Sequence, residues 1–242
     1  MASVQRAARQ FLLIHTKLDL LVLNAGTFPQ VYSVTEDGFE TMMQVTHTWQ
    51  IIQTFHSWFQ VNFLSHFFLA SLLVPALSKA TSSRIAVLSS ESHRFCPPFL
   101  PFDPRLFSPG PVGFSAQMQY NKSKLCCLLL APLLNRRFEK IGATALAVHP
   151  GNLLPSYLHR HSWLYWLAAN LLRPWTKSLA QAAASVVMAL LGEEFPKGTI
   201  YINNCFPTQP EKSVNDVKAQ EALWEATIEC LEQKMGKGCC SV

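Results

Sequence analysis

Short apolar runs, each closed by polar or glycine residues and separated from the next by a helix-length segment, recur along this chain. They read as strands at Leu20–Leu23, Arg84–Ser89, Ala143–Val148 and Thr199–Ile202. Strands that alternate with long helical patterns build right-handed βαβ units, which place parallel strands in one sheet with helices on both faces. The class predicted is α/β, with a doubly wound parallel sheet. In such sheets ligands collect beyond the carboxyl ends of the strands. Three of these four strands end in Asn24-Ala25-Gly26, Ser89-Ser90 and Pro150-Gly151, so polar and glycine residues fall where a site belongs.

Composition narrows the partners. The chain has 242 residues, 49% hydrophobic and 14% charged, enough to bury one large core, and one domain over residues 1–242 is expected. The net charge of +5 comes from scattered Lys and Arg with no run that could track phosphates, so nucleic acid is not an expected partner. Seven Cys follow neither metal-ligand spacing nor a disulfide framework; no metal site is predicted, and a reducing compartment fits. The cytoplasm is expected. Residues 1 to 18 hold Arg6, Arg9 and Lys17 and no acid, which makes the mitochondrion the alternative.

Several segments carry further expectations. Phe63–Leu77 is apolar but shorter than a bilayer requires and contains His66 and Pro75, so it predicts a buried helix. The aromatic patch Trp163–Trp166 would line an apolar substrate pocket or touch a membrane peripherally. Residues 95 to 115 hold six Pro and predict a long loop before a helix that starts near Ser115. Pro132 should kink that helix. The last helix is predicted from Asp216 to Met235, capped by Asn215 and stopped by Gly236. Cys239 lies four residues from the end, but poor following positions and the lack of a polybasic run argue against prenylation.

Within that helix, Tyr120 and Lys124 stand four residues apart and project into one volume. An ammonium beside a phenol stabilises phenolate and should lower the phenol pKa from near ~10, bringing Tyr120 into range as an acid or base. The spacing alone is common; its order in the chain makes it informative. Asn24-Ala25-Gly26 and a strand ending Ser89-Ser90 precede it, and a strand ending Pro150-Gly151 follows.

That ordered set resembles the short-chain dehydrogenase/reductase family. The stretches that carry the resemblance are Leu88-Ser89-Ser90-Glu91-Ser92-His93-Arg94, Tyr120 to Leu125, His149-Pro150-Gly151-Asn152, Arg173 to Ser178, and Tyr201 to Cys205. The resemblance implies a Rossmann-like fold and NADP or NAD as cofactor. It implies Tyr120 as acid/base, Lys124 as the group that tunes it and binds cofactor ribose, Ser90 on the substrate oxygen, and Asn62 holding a relay water. The bare sequence would allow Ser89 or Ser92 in place of Ser90. Asn24, Ala25, Gly26, Pro150 and Gly151 would pack on the cofactor's ribose and nicotinamide. The substrate implied is an apolar alcohol or ketone, steroid- or retinoid-like.

Against the family pattern, the first Gly is Gly26, so the first three strands and the Gly-rich turn that holds pyrophosphate are expected to be missing. That would impair turnover and leave an apolar sheet edge open to protein partners, giving a second reading as a truncated or non-catalytic protein. Gln44-Val45-Thr46 is echoed by Gln60-Val61-Asn62. Distance from Asn24 points to Thr46 for the relay position, while the surrounding residues point to Asn62, the assignment adopted. The family's threonine after Pro150-Gly151 falls on Pro155.

Overall fold

The computed structural model describes residues 1–27, 59–96, 115–151, 171, 177–192 and 195–240. Five strands form one sheet in the order β1 (Leu20–Leu23), β2 (Ser83–Leu88), β3 (Ala143–His149), β4 (Tyr201–Asn203) and β5 (Phe206–Pro207). The first four are parallel and β5 returns antiparallel to β4. The four expected strands are therefore present, each within two residues of its expected bounds. Among the described residues β1 pairs with β2 alone.

The register explains the two layers. Side chains alternate across a strand, so Leu21, Leu23, Ile85, Val87, Ala145, Ala147 and Tyr201 share one face. Four helices take part in the core on that side: α1 (Ala2–Ile14), α2 (Ser65–Leu72), α4 (Ala116–Arg137) and α6 (Val217–Met235), α2 being followed by the short α3 (Val74–Leu77). Ala86, Leu88, Leu146, Val148 and Ile202 point the other way, against Ala189 and Leu190 of α5 (Leu179–Leu191). Helices on both faces make the sheet doubly wound, as the βαβ pattern implied.

The apolar stretch expected to be one buried helix is divided. A π-helical turn, Gln60–Leu64, leads into α2, and Leu73 leaves helical geometry (φ −91, ψ 1) just before Pro75, which lacks an N–H to continue the ladder. Phe63, Phe67, Phe68 and Leu77 are fully buried, and no helix among the described residues is long and apolar enough to cross a membrane. α4 starts where expected, near Ser115, which caps it by accepting from Met118 N–H, and it continues through Pro132 to Arg137. At α6 the expected cap is corrected. Asn215 ends a 3-10 turn, and Asp216, extended at φ −74 and ψ 105, accepts from Lys218 and Ala219 N–H instead.

Candidate functional site

The carboxyl ends of β1 to β4 bring together residues that the sequence spreads over nearly its whole length. Asn24, Ala25 and Gly26 leave β1 exposed. Asn62 sits fully buried on the π-helical turn, an irregularity common at functional sites, and ties the end of β1 to α4. Its Oδ1 accepts from Thr27 N–H at 2.8 Å, and its Nδ2 donates to Thr27 O at 3.0 Å and to Ser123 Oγ at 3.1 Å. Its carbonyl accepts from the Cys127 thiol at 3.0 Å. Asn62→Ala removes the three side-chain bonds and is expected to lower unfolding stability by about 1–3 kcal/mol in urea titrations. A loss below roughly 0.5 kcal/mol would deny Asn62 this tethering role.

The serine pair divides its work. Ser89 is buried and donates to the Lys124 carbonyl at 2.7 Å, so its hydroxyl is spent on the backbone of α4. Ser90 is half-buried; its Oγ accepts from Ser92 N–H at 3.2 Å, and its hydroxyl is near enough to the Tyr120 phenol to pull that group's pKa down. Lys124 is 5% exposed and donates through Nζ to Leu88 O at 2.9 Å, with Nζ 5.8 Å from the Tyr120 ring centroid. A Cβ placed on Gly26 would lie 3.8 Å from that Nζ and 3.6 Å from Asn62 Oδ1. Gly26, Asn62, Tyr120 and Lys124 thus converge on one volume, with Ser90 near the Tyr120 phenol.

The electrostatics correct one expectation. Tyr120 was expected to have its pKa lowered by Lys124; burial instead pushes it up to about 12, against the downward pull of the nearby Ser90 hydroxyl. Lys124 lies over the ring and bonds to Leu88 O, while burial lowers its own pKa. The phenol is therefore protonated at neutral pH.

On the far side, Gly151 is buried with φ +122, and a Cβ there would fall 2.8 Å from Lys177 Cδ and 2.9 Å from Asn204 Oδ1, so only glycine fits. Pro150 before it is half-buried. Thr46, Asn152, Pro155, the Trp163–Trp166 patch and the proline-rich loop lie outside the described residues. No group of three or more His, Cys, Asp or Glu able to hold a metal occurs among the described residues.

Sequence reasoning missed a polar cluster beside Ser90. Glu91 Oε1 accepts from Tyr201 OH and from Asn203 Nδ2, each at 2.9 Å, and Oε2 accepts from Arg94 Nε at 2.9 Å. Glu91 N–H donates to His149 Nδ1 at 3.3 Å. Glu91 and Tyr201 stand inside stretches that carry the family resemblance, but a sequence separation of 110 hides their contact from any local pattern.

No protein-family model matches the chain. It is 37% identical over 239 residues to the WW domain-containing oxidoreductase of Gallus gallus, covering 97% of this chain and 54% of that protein. The Drosophila melanogaster protein of the same name is 38% identical over 225 residues, 92% of this chain and 51% of its own. Retinol dehydrogenase 12 of Mus musculus is 32% identical over 235 residues, 95% of this chain and 66% of that one. The chain spans about half the length of the WW domain-containing relatives it matches. Among solved structures, an uncharacterized protein from Mycobacterium paratuberculosis superposes with a TM-score of 0.61 at 22% identity, covering 94% of this chain and 70% of that one. A short-chain dehydrogenase from Streptomyces avermitilis gives 0.50 at 16% identity, covering 96% and 75%. With the doubly wound sheet, the ordered motifs at its carboxyl edge and relatives that align over nearly its whole length, the chain belongs to the short-chain dehydrogenase/reductase family.

Proposed function

We propose that this protein is an oxidoreductase that transfers a hydride between NADP(H) or NAD(H) and an apolar alcohol or ketone of steroid or retinoid type. The observation that carries the reading is the convergence of Gly26, Asn62 and the buried Lys124 ammonium beside the Tyr120 ring, with Lys124 Nζ 5.8 Å from the ring centroid. The described residues fit the ribose and nicotinamide end of such a cofactor. Lys124 has three donors and, among the described residues, one hydrogen-bond acceptor, Leu88 O, and it stands beside Gly26, where no side chain blocks approach. No Gly-rich turn occurs among the described residues, so pyrophosphate contacts form no part of the reading.

The cofactor would supply the hydride; the protein's own groups handle position and proton. Ser90 Oγ–H would donate to the substrate oxygen, and Tyr120, protonated in its buried setting, would deliver its proton to the alkoxide that develops there. Lys124 would hold ribose hydroxyls, and Asn62 would hold a relay water. Asn24, Ala25, Pro150 and Gly151 would flank the ribose and nicotinamide. The apolar substrate class is supported by the name retinol dehydrogenase carried by relatives that align over 95% of the chain.

Calorimetric titration with NADPH and with NADH tests this. A Kd tighter than about 100 μM is expected for one of them. Lys124→Ala should weaken it about 10-fold or more, the effect of losing charge-assisted hydrogen bonds. A chain that is folded by circular dichroism and binds neither nucleotide would sink the reading and leave a non-catalytic protein that acts through protein partners.

A further inference from the structure

Ser90 leaves β2 in extended geometry (φ −155, ψ 149) and caps the 3-10 turn Glu91–Phe95, so its direction depends on what holds that turn. The sheet ladder cannot do it alone, because β3 separates β2 from β4 and the ladder bond at Ser89, to Val148 O, is the last before Ser90. Glu91 spans the gap. Its carboxylate crosses the end of β3 to take the Tyr201 hydroxyl and the Asn203 amide of β4, both at 2.9 Å, while its backbone N–H bonds His149 at the end of β3 itself. Asn203 Oδ1 in turn accepts from Asn204 Nδ2 at 2.7 Å, and Asn204 packs where Gly151 allows no Cβ. One residue therefore links these loops, its backbone N–H to His149 at the end of β3 and its carboxylate to Tyr201 and Asn203 of β4.

Arg94 is the weaker arm of this cluster. Its guanidinium is about a third exposed and is shared with Glu211 at 3.6 Å, so solvent screens the pair, whereas Tyr201 is fully buried. The direction of Glu91 is set by β4, and Arg94 offsets its charge.

We propose that Glu91 is a positioning residue for Ser90: it clamps the turn after β2 to β4 and so aims the Ser90 hydroxyl at the reacting oxygen. This deepens the function proposed above and rests on it for its catalytic consequence. A serine displaced by ~1 Å loses about 10²-fold in rate.

The test combines a kinetic double-mutant cycle with hydrogen exchange on the full chain. With retinaldehyde and NADPH, Glu91→Ala should lower kcat about 10- to 100-fold and leave the NADPH Kd within about 2-fold. In a Ser90→Ala background the same substitution should cost less than about 2-fold, because the group it aims is already gone. Glu91→Gln, which keeps an oxygen for Tyr201 and Asn203, should restore most of the loss. Amide exchange of residues 91–95 should accelerate in Glu91→Ala, with the β2 and β3 amides unchanged. Equal losses in both backgrounds, or unaltered exchange at the turn, would overturn the proposal. If the wild-type chain has no turnover while exchange accelerates as expected, the clamp stands and the oxidoreductase reading fails.

Discussion

Tyr120→Phe is expected to cut nicotinamide-dependent carbonyl reduction by about 10²- to 10⁴-fold, the range a single general acid contributes. Burial sets the reason. With its pKa pushed up to about 12, Tyr120 is a neutral phenol that already holds a proton beside Ser90, and Phe removes that proton and nothing else of comparable size. The Ser90 hydroxyl keeps its bond from Ser92 N–H, so no buried group is orphaned and stability should fall by no more than about 1 kcal/mol. Steady-state kinetics beside a urea unfolding curve separate the two effects. A variant that retains turnover within about 3-fold would remove Tyr120 from the chemistry; one that loses turnover and several kcal/mol together would assign it to the core.

Acidification is expected to destabilise the fold sharply between pH 6.5 and 4. His66 and His149 are nearly inaccessible, 3% and 2% exposed, and each has its pKa lowered to about 4. For His66 burial is the larger cause and the Lys124 ammonium the next; both ring nitrogens lack a hydrogen-bond partner among the described residues. For His149 burial again leads, opposed by the Glu91 carboxylate and assisted by the charges of His93, Lys177 and Lys124. A histidine whose folded pKa lies below its unfolded value binds its proton more readily when unfolded. Its neutral form is accommodated at pH 7, and stability is lost as pH falls from 6.5 toward 4. At 1.36 kcal/mol per unit, each would contribute a loss of about 2 kcal/mol by pH 5, a large share of a typical domain's stability. The depressed carboxyl groups of Glu91 and Glu221 act in a separate window, since their stabilisation is retained until pH falls below the unfolded value of 4.5. Urea midpoints at pH 7.5 and 5.0 give the slope, and His66→Gln should remove about half of it. An unchanged midpoint at pH 5 would mean that both imidazoles are solvated in the folded chain.

The layout of the sheet was legible because it rests on local signals. An apolar run such as Ala143–Val148 is a strand to within a residue or two, since burial on both faces of a parallel sheet requires it, and Leu20–Leu23 forms one with Leu21 and Leu23 buried. The helical spacing of Tyr120 and Lys124 put them on one face before any contact was known. The order of the Asn-Ala-Gly, Ser-Ser and Pro-Gly ends was enough to gather the candidate site at one sheet edge.

What the sequence by itself determined was therefore the strands, their carboxyl ends and the residues that meet there, because each depends on periodicity and on turn chemistry within a few residues. The tertiary structure alone decided how those residues behave. Glu91 reaches Tyr201 across 110 residues and over an intervening strand, a contact no local pattern encodes. Asn62 acquires its tether to Thr27 and Ser123 only where a π-helical turn meets α4. Tyr120 keeps its proton, contrary to what the nearby Lys124 suggested, because the sign of a pKa shift follows from the balance of desolvation and charge, and desolvation exists only once the chain has packed.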